Sequence, residues 1–444
     1  MKSPKGLRNS IAGISLLFVA QCGHNGTVSD PTSPGNNQGI VTTQEGSVTV
    51  QSYAGGRDSL PAVSFADLAA LAKGNTDFAC DIYRKFSDAN SGNTFISPYS
   101  MSLALAMTWA GARGQTESQM ASTLHFTLDQ SRLHPAFDAL DLSLKSRAAK
   151  DGFDLNIVNQ LWGEKTFHFL PDFLKTESVS YGASLRLLDF LNNPDASRVT
   201  INSWVSDRTQ SRIQDLIPQG AITAGTVLVL TNAIYFNAQW ADTFRKEDSY
   251  SQAFYGESDS VAAVFMHREG TCKYDSGADC SALEMQYKGS EISMLIILPN
   301  PGKMAAVESA LSSDFLSALE GALQSRAVWV GIPKFKFGTA SISLKNMLSA
   351  LGMAVAFSDT ADFSGIDGFR DLFIQDAIHK AFVSVDERGT EAAAATAVMV
   401  GTSSLAFPPP VPFTANRPFI FLIKDNATGT VVFMGKIVSP VVEG

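Results

Sequence analysis

Apolar residues recur at helical spacing through the first half of the chain. Phe65, Leu68 and Leu71 fall three apart, and Phe78–Phe86, Ser100–Ala112 and Ile201–Leu216 continue the pattern. Runs rich in β-branched and aromatic residues then take over and predict strands at Thr226–Phe236, Glu291–Leu298, Ala327–Phe337, Phe382–Val385, Pro418–Ile423 and Val431–Val438. Helices first and strands later, with no repeat of fixed period, predict a single α+β body from about Pro61 to Gly444.

Two segments precede that body. Lys2, Lys5 and Arg8 lead into the apolar run Ile11–Ala20. A basic start followed by about ten apolar residues has the shape of an export signal and is too short to span a membrane as a helix. Val19-Ala20-Gln21-Cys22 resembles a bacterial lipobox, in which the cysteine takes lipid and becomes the mature N-terminus. Gln21 stands where such sites prefer a small residue; ordinary cleavage nearby is the other reading, to which Phe18 is poorly suited. Either route predicts an exported protein, extracellular or in the cell envelope, that meets a membrane only through lipid on Cys22. Residues 23–60, rich in Gly, Asn, Ser, Thr and Pro, predict a flexible spacer.

Composition narrows the function. With 34 basic and 43 acidic residues the net charge is −9, which argues against a nucleic-acid binder. An apolar share of 45% with 29 Phe supplies a large core. Four cysteines are too few for a disulfide scaffold, and six histidines without an HExxH or CxxC pattern offer no metal site or cofactor. Cys272 and Cys280 flank a turn-like run and would close a small disulfide or stay as thiols, whereas Cys80 lies in an apolar helical pattern and reads as a buried thiol.

Four blocks carry a family resemblance. Asn93-Thr-Phe-Ile-Ser97-Pro-Tyr-Ser100, with Leu103–Met107 and Gly111-Ala-Arg-Gly-Gln-Thr116, resembles the helix beneath the main sheet of the serpins. Thr231-Asn232-Ala-Ile-Tyr-Phe-Asn-Ala-Gln-Trp240 resembles the strand that ends at the serpin breach tryptophan. The segment from His379 to Thr396 resembles the strand and hinge that feed the reactive loop. Pro418-Phe-Ile-Phe-Leu-Ile and Val432–Pro440 are similar to the family's C-terminal strands. These blocks run from Asn93 to Pro440 in the family's order. The resemblance implies one serpin domain over residues 61–444, with helices around a large mixed sheet, smaller sheets and an exposed reactive loop. It also implies an inhibitor of serine proteases rather than an enzyme, working as a monomer.

The hinge is legible from residue chemistry. Gly389–Ala397 holds one Gly, five Ala, two Thr and one Glu, with no bulk. Ala also favours helix, but the β-branched run before it and Pro408-Pro409-Pro410 after it oppose that reading. In a strand, Thr390, Ala392, Ala394, Thr396 and Val398 share one uncharged face, while Glu391, Ala393, Ala395 and Ala397 share the other. Such a segment can enter a sheet interior, and serpin loop insertion is an established case of strand addition. The family's spacing from a hinge glutamate at Glu387 places the reactive bond at Ser403–Ser404, with Thr402 and Leu405 within register error. Between Arg388 and Arg417 there is no Lys or Arg, so an elastase-like or subtilisin-like protease fits better than a trypsin-like one. From Thr390 to Ser403 an inserted strand covers roughly 46 Å at about 3.3 Å per residue.

By resemblance, Ser97, Ser100, Asn232 and His379 form a polar shutter beneath the opening strands, bonded to one another. Trp240 and a surface ion pair between Lys334 and Glu387 sit at the breach, where insertion begins. Two other readings remain: a non-inhibitory serpin acting as a carrier, opposed by the small hinge residues, and a serine hydrolase, opposed by the lack of a GxSxG elbow.

Overall fold

The computed structural model describes residues 12–22, 39–151, 153–256, 259–390 and 409–440. In chain order, strand β1 (Ala12–Cys22) precedes a hairpin of β2 (Ile40–Glu45) and β3 (Val48–Tyr53). Then come helix α1 (Phe65–Ala89), β4 (Thr94–Ile96), α2 (Pro98–Trp109), α3 (Gly114–Thr123) and α4 (Gln130–Asp151). Next are β5 (Phe153–Glu164), α5 (Pro171–Tyr181), β6 (Leu185–Leu188), α6 (Pro194–Arg208) and β7 (Thr226–Gln239). The strands β8 (Tyr250–Tyr255), β9 (Ser260–Ser276), β10 (Cys280–Gln286) and β11 (Ile292–Pro299) lead to α7 (Met304–Ala310) and α8 (Ser313–Ala322). The last strands are β12 (Gln324–Pro333), β13 (Phe335–Gly338), β14 (Ile342–Ser343), β15 (Leu372–Val385), β16 (Gly389–Thr390), β17 (Val411–Thr414), β18 (Phe419–Asp425) and β19 (Val431–Ile437).

These strands build two sheets. The first runs β13-β15-β1-β7-β5-β6-β3-β2, with β14 on β15 and β16 on β7; the second runs β17-β12-β9-β10-β11-β18-β19-β4, with β8 on β9. Helix α2 lies under the first sheet against β1 and β7, and also touches β19 of the second. All twelve of its residues are buried, so it can be apolar on every side. Ser97 starts this helix: its Oγ accepts from the Ser100 N–H at 3.2 Å, and Pro98 supplies a preset first turn.

Most expected elements are present with shifted bounds. Ile201–Leu216 is helical only through Arg208, because Gln210 and Ser211 turn left-handed at φ of 50° and 63°. Ala327–Phe337 is two strands rather than one. The chain leaves the second sheet after Pro333 and enters the first at Phe335, which places Lys334 at the crossing.

The N-terminal region departs from the expected spacer in one place. Residues 40–53 are not spacer: β3 pairs with β6 from Thr49 to Gln51, extending the first sheet by a hairpin. Alternation at Val48-Thr49-Val50 buries Val50, and Gly46 at φ +62° opens the two-residue turn. Arg57 then ties this segment to Asp138 at 2.6 Å and Asp141 at 2.5 Å on α4. Residues 12–22, read as part of an export signal, form β1 in the middle of the first sheet, antiparallel to both β7 and β15.

Candidate functional site: breach, shutter and hinge

Where β7 and β15 end, a compact cluster closes the top of the first sheet. The Trp240 indole is buried and stacks on the Tyr287 ring at 4.5 Å between centroids and 10° between planes. Its Nε1–H donates to the Asp386 carbonyl at 3.0 Å, and its backbone N–H donates to the Arg388 carbonyl at 2.8 Å. The Phe244 N–H holds the Glu387 carbonyl at 2.8 Å. Trp240 is thus the post on which the turn after β15 is fastened.

Lys334 and Glu387 do pair, at 3.0 Å, but the expected surface character is wrong for the acid. The Glu387 side chain is only 7% exposed, against 30% for Lys334. Burial alone would raise the carboxyl's pKa; backbone hydrogen bonding and Lys334 outweigh it and hold it below the ordinary glutamate value.

The hinge begins in this turn. Asp386 and Gly389 exchange backbone hydrogen bonds at 3.0 and 3.2 Å, reversing the chain. Gly389 and Thr390 then pair antiparallel with Gln239 and Ala238 at the end of β7. Gly389 has φ +156°, and a Cβ there would stand 2.0 Å from the Ala238 carbonyl oxygen, so only glycine fits. Thr390 is fully buried, with its Oγ1 at 2.7 Å from the Tyr287 hydroxyl. Of the face assigned to the sheet interior from sequence, Thr390 is the described member, and it is buried. Nothing in the sequence singled out Tyr287; its role follows from a bridge between Trp240 and Tyr287 that joins the two sheets.

The remaining hinge residues Glu391, Ala392, Ala393, Ala394, Ala395 and Thr396, and the reactive-bond residues Ser403 and Ser404, lie outside the described residues. So does the Asn232 side chain.

Of the residues read as the shutter, Ser97 and His379 form no bond to one another. The Ser97 hydroxyl donates to the Val432 carbonyl at 2.8 Å while capping α2. The His379 ring is fully buried with neither nitrogen bonded among the described residues, and burial lowers its pKa to about 3, keeping it neutral. The register supplies the reason. Leu16 of β1 stands opposite Asn232 on one side and His379 on the other, so a whole strand separates the two. Cys272 and Cys280 are free buried thiols rather than a disulfide, and Cys80 is a buried thiol whose pKa burial pushes up to about 12. Among the described residues no cluster of His, Cys, Asp and Glu could hold a metal ion.

This geometry can be set beside known proteins. The profile of the serpin (serine protease inhibitor) family matches residues 73–440. The leukocyte elastase inhibitor of Homo sapiens is 37% identical over 382 residues, covering 83% of this chain and 99% of that one. Antithrombin-III of Mus musculus is 38% identical over 402 residues, covering 87% and 85%. The crystal structure of human thyroxine-binding globulin, complexed with thyroxine, superposes with a TM-score of 0.75 at 30% identity, covering 84% of this chain and all of that one. With the family profile matched over residues 73–440 and relatives matched across most of their length, this chain belongs to the serpin family.

Proposed function

We propose that this serpin is an irreversible suicide-substrate inhibitor of serine proteases. A protease acylated at the reactive bond is carried across the sheet as the cleaved loop inserts, and its distorted site cannot finish hydrolysis. The observation that supports this reading is at the end of β7: Gly389 and Thr390 pair with it, and Thr390 is buried. Continuing the register residue by residue sets Ala392 opposite Phe236 and Thr402 opposite Thr226, where β7 begins. Ser403, the residue we assign to the acyl bond, would then reach the far end of the sheet, roughly 43 Å from Thr390 at about 3.3 Å per residue.

Small uncharged residues around Ser403 favour a protease with a shallow specificity pocket, elastase-like or subtilisin-like. The likeness to leukocyte elastase inhibitor supports the same class. The N-terminal sequence supports export, with lipid on Cys22, and the inhibitor would act as a monomer. A carrier role, prompted by thyroxine-binding globulin, has less support. A cleft of about 570 Å³ beside α8 is lined by Lys273, Glu284, Glu320 and Lys424, which suits no apolar cargo.

Incubating the chain, processed ahead of Cys22, with elastase and subtilisin tests the proposal. A complex that survives SDS is expected, and mass spectrometry of the released C-terminal fragment should begin at Ser404 or within two residues of it. Turnover of the chain without a stable complex, or cleavage near Ala393, would reject the mechanism.

A further inference from the structure

The slot that the hinge enters is already filled. Thr390 stops opposite Ala238, and β1 begins two residues further along the same edge, with Ala12 opposite Phe236. From there β1 runs antiparallel to β7 down to Gln21 opposite Thr226, and antiparallel to β15 from Ile14 opposite Ala381 to Cys22 opposite Leu372. Ala12 occupies the backbone position that the hinge register gives to Ala392, and Gln21 the position it gives to Thr402. The N-terminal strand and the reactive loop therefore compete for the same backbone partners, in the same direction.

The sequence of β1 suits the position. Residues 12–22 carry no charge and include Ile14, Leu16, Leu17, Phe18 and Val19, the composition of a strand flanked on both sides. Its link to the rest of the chain is long enough. Five strand spacings separate β1 from β2, about 24 Å, and the stretch between Cys22 and Ile40 can extend beyond about 50 Å.

We infer that residues 12–22 are an internal plug that holds the unprocessed chain in a strand-complete, non-inhibitory form, and that removing them arms the inhibitor. This rests on the insertion mechanism proposed above. Cleavage between Gln21 and Cys22, which the lipobox resemblance implies, deletes ten of the eleven residues of β1. One cut would thus complete export and open the slot. A chain that folds before export stays plugged, which spares proteases inside the cell.

The test uses three chains: the unprocessed protein made without export, the same chain carrying Leu17→Pro, and the chain processed ahead of Cys22. Proline in mid-strand removes a ladder donor and expels the segment. Hydrogen exchange on the unprocessed chain should show amides of residues 12–22 slowed at least about 100-fold against the unfolded rate, with that protection lost in Leu17→Pro. The unprocessed chain should melt about 10 °C or more above the processed one. It should form no SDS-stable complex with subtilisin or elastase, whereas Leu17→Pro and the processed chain should. Unprotected amides at 12–22 overturn the plug whatever the protease does. Protected amides with equal trapping by all three chains overturn its regulatory role and leave the inhibitor reading intact. Protected amides with no trapping by any chain sink the inhibitor reading instead, and the arming role with it.

Discussion

In the proposed mechanism, Thr390 decides whether insertion can start. Thr390 is fully buried against Tyr287, so Thr390→Arg would bring an unpaired charge into the sheet at a cost of several kcal/mol. Insertion slows while acyl-enzyme hydrolysis keeps its own rate. The number of inhibitor molecules consumed per protease inactivated should rise severalfold, with the rate of first cleavage little changed; an unmoved ratio would show that this register does not govern inhibition. Glu387 gives a pH-dependent test. Its carboxyl is held below the ordinary value, so the stability it contributes is complete above about pH 4.5 and falls away as pH drops through the lowered folded-state pKa. Glu387→Gln should therefore lower the melting temperature at pH 7, and the gap to the parent should narrow as pH falls below about 4.5. A gap that stays the same as pH falls would mean the ion pair with Lys334 contributes nothing. At this scale the sequence was a fair guide where residue size spoke, as in the Gly389–Thr390 hinge. It was silent where partners came from a distant strand, as with Tyr287. Ser97 reads as a network member by resemblance, yet the Ser97-Pro98 pair is also a plain helix-start signal, and that is the role it fills.

Among the elements, those with strong periodicity were legible and those set by pairing were not. Helix α2 and strands β7, β11, β18 and β19 follow from their apolar runs. The β2–β3 hairpin did not, because Gly, Ser and Thr dominate its surroundings and only Val48 and Val50 mark the alternation. Its existence depends on β6 offering an edge, which no local pattern reveals. Val50 is 4% exposed, so Val50→Ala should cost about 1–2 kcal/mol of unfolding free energy, measurable by urea titration. An unchanged midpoint would return residues 40–53 to the status of spacer. The boundary at Lys334 was likewise hidden, since one apolar run serves two sheets and only the three-dimensional crossing separates them.

Over the whole molecule, the proposed inhibition depends on a sheet that accepts one more strand. In the proposed insertion, twelve residues, 391–402, would pair along β7 from Asn237 to Thr226 once β1 is gone, continuing the register of Gly389 and Thr390. At about 1 kcal/mol net per added backbone hydrogen bond, their insertion releases on the order of 10 kcal/mol before packing is counted. That rivals the roughly 5–15 kcal/mol that holds a typical protease together, so a chain with an empty slot stores enough free energy to deform its captive. The α+β class was readable from sequence because it is written in local composition. The occupied slot was not, since residues 12–22 carry the same apolar run whether they serve as a signal or as a strand. The most direct measurement is calorimetry on the chain processed ahead of Cys22, before and after a single nick in the reactive loop by a protease that is not trapped. An ordinary protein is destabilised or unaffected by such a cut. Here the loop should enter beside β7 and raise the transition by about 12 °C, which is what 10 kcal/mol gives in a domain of this size. A transition that stays put or falls would contradict insertion as the source of inhibition.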